Sequence, residues 1–389
     1  MKGLARQTIK WIYHQYSPMT FRCLVTGGAG FIGSHLVDGL IEKGHDVTVL
    51  DSLESQVHNG IPPEYLNPQA RFIRGRVGET DQLRKLLQEH DVVFHDAARV
   101  GVGQSMYEVR NYVSANTLET AQMLELLAEG KHNVKKIIAA SSMSIYGEGA
   151  YQCEKCGLVA PKPRTEGQLK KRQWEMQCSF CRKPLKPVAT SETKPLDPTS
   201  VYAITKRDQE ELCLVMGKAY GVPTVALRYF NVYGPRQSLN NPYTGVCAIF
   251  SSRLLNNHPP VIFEDGQQSR DFVHVKDIVQ ANLLAMEKKE ADNNVFNVGT
   301  GKFVTIMEIA QILNELYGKS LQPQIKNKYR EGDIRHCFSN ISKIQKLGFK
   351  PTISLKDGLK ELVEWGEKEK PEDKFDQAAS ELEERGLAK

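Results

Sequence analysis

No stretch of this chain is apolar for long enough to span a bilayer or to serve as a secretion signal. That argues against a membrane role and makes the cytoplasm the expected address. Charge of one sign is also scarce: 51 Lys and Arg face 46 Asp and Glu, a net +5 too mild to point to nucleic acid or a membrane surface. Such a balance does suit an enzyme of anionic substrates. Internal repeats and low-complexity tracts are absent, and 40% hydrophobic residues over 389 positions can bury a large core in two or three units. Disulfides are rare in the cytoplasm, so paired cysteines point to metal.

What is present starts with Cys23-Leu-Val-Thr-Gly-Gly-Ala-Gly-Phe-Ile-Gly33, an amphipathic run, and Val47-Thr-Val-Leu-Asp51. Strand, glycine-rich turn, helix and a second strand ending in an acid spell the first βαβ unit of a dinucleotide-binding Rossmann fold. Gly27 or Gly28 makes the turn, Gly30 admits a pyrophosphate, and Gly33 lets the helix pack closely on the sheet. The helix amino end offers free N–H groups to the phosphates. Asp51 falls where a carboxylate accepts from ribose hydroxyls and repels a 2′-phosphate, which favours NAD over NADP.

Apolar β-type runs then alternate with helical stretches: 21–26, 47–50, 71–74, 92–95, 137–141 and 225–229. The pattern predicts an α/β fold, a doubly wound parallel sheet with helices on both faces. Residues 1–20 read as an extension and 21–230 as the dinucleotide-binding domain. From about residue 231 Pro, Asn and Gly become frequent, and 231–366 reads as a smaller α/β substrate domain with some segments returning to the first. Residues 367–389 read as an exposed C-terminal helix without chemistry.

Two stretches carry candidate chemistry. Ile137-Ile-Ala-Ala-Ser-Ser-Met-Ser-Ile-Tyr-Gly147 delivers Ser141, Ser142 and Ser144 at the carboxyl end of a strand, where open α/β sheets bind ligands. Ser200-Val-Tyr-Ala-Ile-Thr-Lys206 opens a helix that puts Tyr202 and Lys206 on one face. An ammonium beside a phenol stabilises phenolate and makes an acid/base unit.

These motifs, together with Arg228-Tyr-Phe-Asn-Val-Tyr-Gly-Pro-Arg236, resemble the extended short-chain dehydrogenases/reductases that act on nucleotide sugars. The resemblance covers residue 21 to about 365. It implies Tyr202 as general base, Lys206 on the nicotinamide ribose and Ser142 on the reacting sugar oxygen. It further implies NAD contacts at Gly27, Gly30, Phe31, Ile32, Gly33, Asp51, Ala97 and Asn116. The nucleotide-diphosphate sugar would meet Ser142, Ser144, Asn231, Arg270, Arg330 and Asp333, with guanidinium forks suited to phosphate oxygens. A homodimer through two helices is usual in proteins this resembles.

Departures from the family pattern narrow the reaction. Dehydratases of the family carry Asp-Glu after the active-site Ser or Thr; here Met143 and Ser144 stand there, which favours reversible oxidation at C4, that is, 4-epimerisation without net redox. Gly75-Arg-Val77 replaces a Gly-Asp pair whose Asp meets adenine, and Arg76 cannot accept a hydrogen bond. Glu119 replaces a glycine. Cys337, four after Asp333, suggests room beside the sugar. The alternatives are a UDP-glucose or UDP-glucuronate 4-epimerase, a nucleotide-sugar reductase or dehydratase, and a non-catalytic NAD sensor.

Between Ser142 and Tyr202 lies an insertion, 148–190, containing Cys153-Glu-Lys-Cys156 and Cys178-Ser-Phe-Cys181. Two such knuckles form a zinc-ribbon pattern, four thiolates in a closed structural site, with iron the main rival. Cys23, Cys213, Cys247 and Cys337 read as packing residues, and Lys162, Arg164, Lys170, Lys171 and Arg172 as a solvated charged face without nucleic-acid binding. Val102-Gly-Gln-Ser-Met-Tyr-Glu108, the insertion and Phe375-Asp-Gln-Ala-Ala are similar to a zinc-ribbon-bearing subgroup of 4-epimerases acting on dTDP-L-rhamnose.

Overall fold

The computed structural model describes residues 20–389; the expected extension, 1–20, lies outside them but for Thr20. Seven parallel strands form one sheet in the order β7-β6-β5-β4-β1-β2-β3. They are β1 (Arg22–Thr26), β2 (Asp46–Asp51), β3 (Arg71–Arg74), β4 (Val92–His95), β5 (Lys136–Ser142), β6 (Thr224–Tyr229) and β7 (Asn294–Val298). Six of them match the expected runs within about a residue. β7 has no counterpart among those runs: it returns from far along the chain to pair with β6, Phe296 opposite Leu227.

The runs are nearly continuous in apolar residues because helices cover both faces of the sheet. On one side α1 (Phe31–Glu42) supplies Leu36, Val37 and Leu40, packed with Ile278 and Ala281. On the other, Met123, Leu124 and Leu127 of α2 (Glu119–Ala128) join Leu83, Leu86 and Cys213. A separate apolar cluster unites helices Val246–Leu255, Ile306–Leu316 and Leu355–Glu369. The insertion has its own small core of Tyr151, Cys153, Met176, Cys178 and Leu185 under three short antiparallel strands. Cys23, Cys213, Cys247 and Cys337 are all buried. Among the described residues no helix is long and apolar enough to cross a membrane.

The tail departs from the expected single exposed helix. The preceding helix continues to Glu369, Lys370 turns in the left-handed region (φ 45°), and a new helix, Phe375–Glu384, begins.

Candidate active site

Strand order reverses between β1 and β4, the switch point at which such sheets bind ligands. There the β1–α1 turn resolves the choice between glycines: Gly27 takes φ +72°, a conformation strained for other residues. A Cβ on Gly33 would stand 2.3 Å from the Gly27 carbonyl oxygen, and one on Gly28 2.9 Å from both Val49 methyls. Asp51 accepts from the Ala29 N–H at 3.0 Å and the Leu53 N–H at 2.8 Å, which fixes its carboxylate beside the turn. A side-chain-free cradle at a helix amino end, with an acid at the end of β2, fits a dinucleotide.

From this cradle a cavity of about 650 Å³ runs past Ser142 and Tyr202 to Arg270 and Arg330. Ser200 caps the long helix α3 (Val201–Tyr220) by accepting from the Ala203 N–H at 3.1 Å, which sets Tyr202 in its first turn. Ser142 accepts from the Ser144 N–H at 3.2 Å and the Ser144 hydroxyl at 2.9 Å, so Ser144 holds Ser142 in place. Burial raises the Tyr202 pKa, and the neighbouring Ser142 hydroxyl opposes the rise. Lys206 spends a 2.8 Å hydrogen bond on the Ala140 carbonyl, and burial lowers its pKa to about 8. The expected acidification of Tyr202 by Lys206 is not seen in this arrangement: burial of the phenol is the leading cause of its shift, and Lys206 is not among the causes.

Asn116 also differs from expectation. It is buried off the cavity wall, accepting from the Arg99 N–H at 2.7 Å and donating to the Arg99 carbonyl and to Thr205. It thus ties the Arg99 loop to α3 from a π-helical turn, Val113–Leu118. Asn231 lines the cavity with its carbonyl oxygen buried and without a partner among the described residues. Arg270 donates to the carbonyls of Ser269, Ile334 and Arg335. Arg330 pairs with Asp333 at 2.9 Å and stacks on Phe263, leaving part of its fork free. Phe31, Ile32, Gly30 and Ala97 line the cavity as well.

Several site residues escape sequence reasoning. Beneath the serine turn, Ser141 donates to Glu210 at 2.6 Å, Glu210 pairs with Arg228, and Arg228 donates to the Tyr146 hydroxyl at 2.7 Å. The tail, expected to carry no chemistry, lines the cavity with Phe375, Ala378, Leu382 and Leu387. Lys374, Asp376, Glu383 and Glu384 face outward and the apolar positions repeat at helical spacing, so the charged face alone catches the eye. Glu381 accepts from the hydroxyls of Tyr243 (2.6 Å) and Tyr107 (3.1 Å), and Lys389 pairs its backbone with Tyr329.

Asp96 is the other omission, although an acid closing an apolar strand at the ligand-binding edge was a readable signal. It lines the cavity with both carboxylate oxygens buried and unpartnered, and burial raises its pKa to about 7, opposed by nearby Lys206. A carboxyl raised in the fold favours the native state at low pH and loses that contribution as pH rises through about 7. Asp96→Asn is therefore expected to match the wild-type Tm near pH 4 and to exceed it above pH 7; an equal gap at both pH values would contradict this.

A Rossmann sheet whose switch-point cavity gathers Ser142, Tyr202 and Lys206 defines an enzyme of the extended short-chain dehydrogenase/reductase class. The chain belongs to the NAD dependent epimerase/dehydratase family, whose model matches residues 23–183 and 182–299. It is 34% identical over 348 residues to a dTDP-L-rhamnose 4-epimerase of Burkholderia thailandensis, covering 88% of this chain and 94% of that one. A putative UDP-glucose 4-epimerase of Methanocaldococcus jannaschii is 35% identical over 344 residues, 88% and 97% of the two chains. Among solved structures, UDP-glucuronic acid 4-epimerase from Bacillus cereus, in complex with UDP-glucuronic acid and NAD, superposes with a TM-score of 0.74. It is 31% identical over 89% of this chain and 99% of that one.

Proposed function

We propose that this protein is an NAD-dependent 4-epimerase of a nucleotide-diphosphate sugar. The observation that carries the reading is one cavity joining the glycine cradle to Ser142, Tyr202 and Lys206, with Met143 and Ser144 where elimination would need an acid and a base. Tyr202, as its phenolate, takes the proton of the sugar C4 hydroxyl to become the phenol, and later returns it. Ser142 hydrogen-bonds the C4 oxygen as it alternates between hydroxyl and carbonyl. Lys206 and the cradle orient the dinucleotide. NAD, when bound, supplies the chemistry of accepting hydride from C4 and giving it back to the opposite face.

Asn231, Arg270 and Arg330 face the diphosphate in this reading. The substrate we favour is dTDP-L-rhamnose, converted to dTDP-6-deoxy-L-talose, with UDP-glucose and UDP-glucuronate as rivals. Proton NMR of each sugar nucleotide with the purified protein tests it: an epimer of unchanged mass from one of them is expected, and a reduced or dehydrated product would overturn it. Removing residues 371–389 takes away one wall of the cavity but not the glycine cradle. It is expected to raise the substrate KM severalfold while retained NAD stays at the wild-type level, both measured on one preparation.

The insertion holds a structural zinc in this reading. The Sγ atoms of Cys153, Cys156, Cys178 and Cys181 lie within 4.8 Å of one another; a tetrahedral zinc needs sulfur separations of about 3.8 Å. Elemental analysis is expected to find one zinc per chain, lost in Cys178→Ser. A homodimer is supported by exposed Val109, Val113, Leu118 and Ile204 on neighbouring helices. Sedimentation measures it. A cytoplasmic address completes the reading.

A further inference from the structure

The two family departures at Arg76 and Glu119 lie far apart in sequence, and the fold makes them partners. Arg76 Nε donates to Glu119 Oε1 at 3.0 Å, its Nη2 reaches the same oxygen, and the Gly78 N–H donates to Oε2 at 3.2 Å. Both side chains line the cavity. Arg76 follows Gly75, whose N–H donates to the Asp51 carbonyl at 2.9 Å, so the pair adjoins the acid placed for the ribose. A base carried on that ribose, pointing away from the switch point, comes over the end of β3, the strand beside β2.

We propose that Arg76, held by Glu119, reads the base of the dinucleotide as a hydrogen-bond donor, facing an acceptor of the base rather than its 6-amino group. A guanidinium has five N–H donors and no acceptor. Two point at Glu119 Oε1, and the remaining three have no partner among the described residues. Oε1 accepts two Arg76 donors and Oε2 accepts from Gly78, which makes Glu119 the positioning residue that fixes the fork. A carboxylate at position 76 would select a base with a 6-amino donor. A guanidinium there selects an acceptor, whether a ring nitrogen of adenine or the 6-oxo group of hypoxanthine. The pair also replaces the negative charge of a lone carboxylate by a near-neutral unit beside Asp51, which lessens repulsion between two acids at one site.

This inference rests on the NAD reading above, and the test separates the two. Protein is reconstituted with an equimolar mixture of NAD and nicotinamide hypoxanthine dinucleotide, washed, and its bound dinucleotides are extracted and weighed by mass spectrometry. Wild type is expected to retain the hypoxanthine form at least as well as NAD. Arg76→Asp combined with Glu119→Gly is expected to shift the ratio toward NAD by on the order of tenfold, the worth of one hydrogen bond gained against one lost. Arg76→Ala should fall between; the Arg76 side chain is 46% exposed, so its truncation opens no core. A wild-type preference for NAD that Arg76→Ala leaves unchanged would overturn the inference. Retention of neither dinucleotide by wild type would overturn it together with the NAD reading.

Discussion

Tyr202→Phe is expected to cut turnover by roughly 10³-fold, within the range assigned to a positioned acid/base group. The change removes one oxygen and little else. The ring keeps its edge-on contact with Tyr112, at 6.5 Å between centroids and 86° between planes. The Tyr202 backbone N–H still donates to the Ser105 hydroxyl at 3.0 Å, and Ser200 still caps the helix. Ser142, held by Ser144, stays in place as well. Lost is the one group in the first turn of α3 that can exchange a proton with the C4 oxygen. Turnover measured beside circular dichroism and retained NAD checks the claim: activity should vanish at unchanged fold and cofactor content. A variant within tenfold of wild type would take the base role from Tyr202.

Arg335→Met should have the largest effect on stability. Arg335 is fully buried, 0% exposed, and its guanidinium reaches Glu175 of the insertion at 3.0 Å, Glu264 at 2.9 Å and Asp265 at 2.7 Å. Removing one partner of a buried ionic cluster leaves uncompensated charge and costs about 3–5 kcal/mol. Glu264 keeps its pair with Arg164 at 2.7 Å, whereas Glu175 and Asp265 are partly solvated, which places the expected loss toward the lower end. Urea unfolding followed by tryptophan fluorescence, with Trp174 buried in the insertion, should show a clearly lower midpoint than wild type.

The same cluster predicts the pH response. The hydrogen bond with His336, then Arg335, pulls the Glu175 pKa down to about 2. A depressed carboxyl stabilises the fold above its ordinary pKa near 4.5 and loses that contribution as pH falls toward 2. Glu175→Gln should therefore cost stability at pH 7 and become nearly neutral near pH 2.

Arg164 is the one exception to the solvated charged face expected of the insertion. Lys162, Lys170, Lys171 and Arg172 are exposed, as a charge run suggests, but the Arg164 side chain is 2% exposed and bonded to Glu264. Its partner lies in a segment about a hundred residues on, and a sequence carries no mark of which charge will meet which. Asp333 and Ile334, next to Arg335, line the cavity, so this cluster braces the substrate end of the site.

Local rules, legible along the chain, governed one part of the architecture. Six strands, the glycine turn with Asp51, the capped helix bearing Tyr202 and Lys206, and the Ser142 turn each follow from periodicity, glycine sterics or capping within a short window. Tertiary structure alone decided the rest. β7 is a strand because β6 offers it an edge; Asp96 becomes a buried unpaired acid because Lys206 and the cavity enclose it. Phe375–Glu384 forms a cavity wall because Tyr107 and Tyr243 hold Glu381. Arg76 and Glu119, like Arg164 and Arg335 with Glu264, gain meaning only once long loops close. Hydrogen bonds and ion pairs act over a few ångströms of space, and the partners the chain brings within that range are chosen by the whole fold.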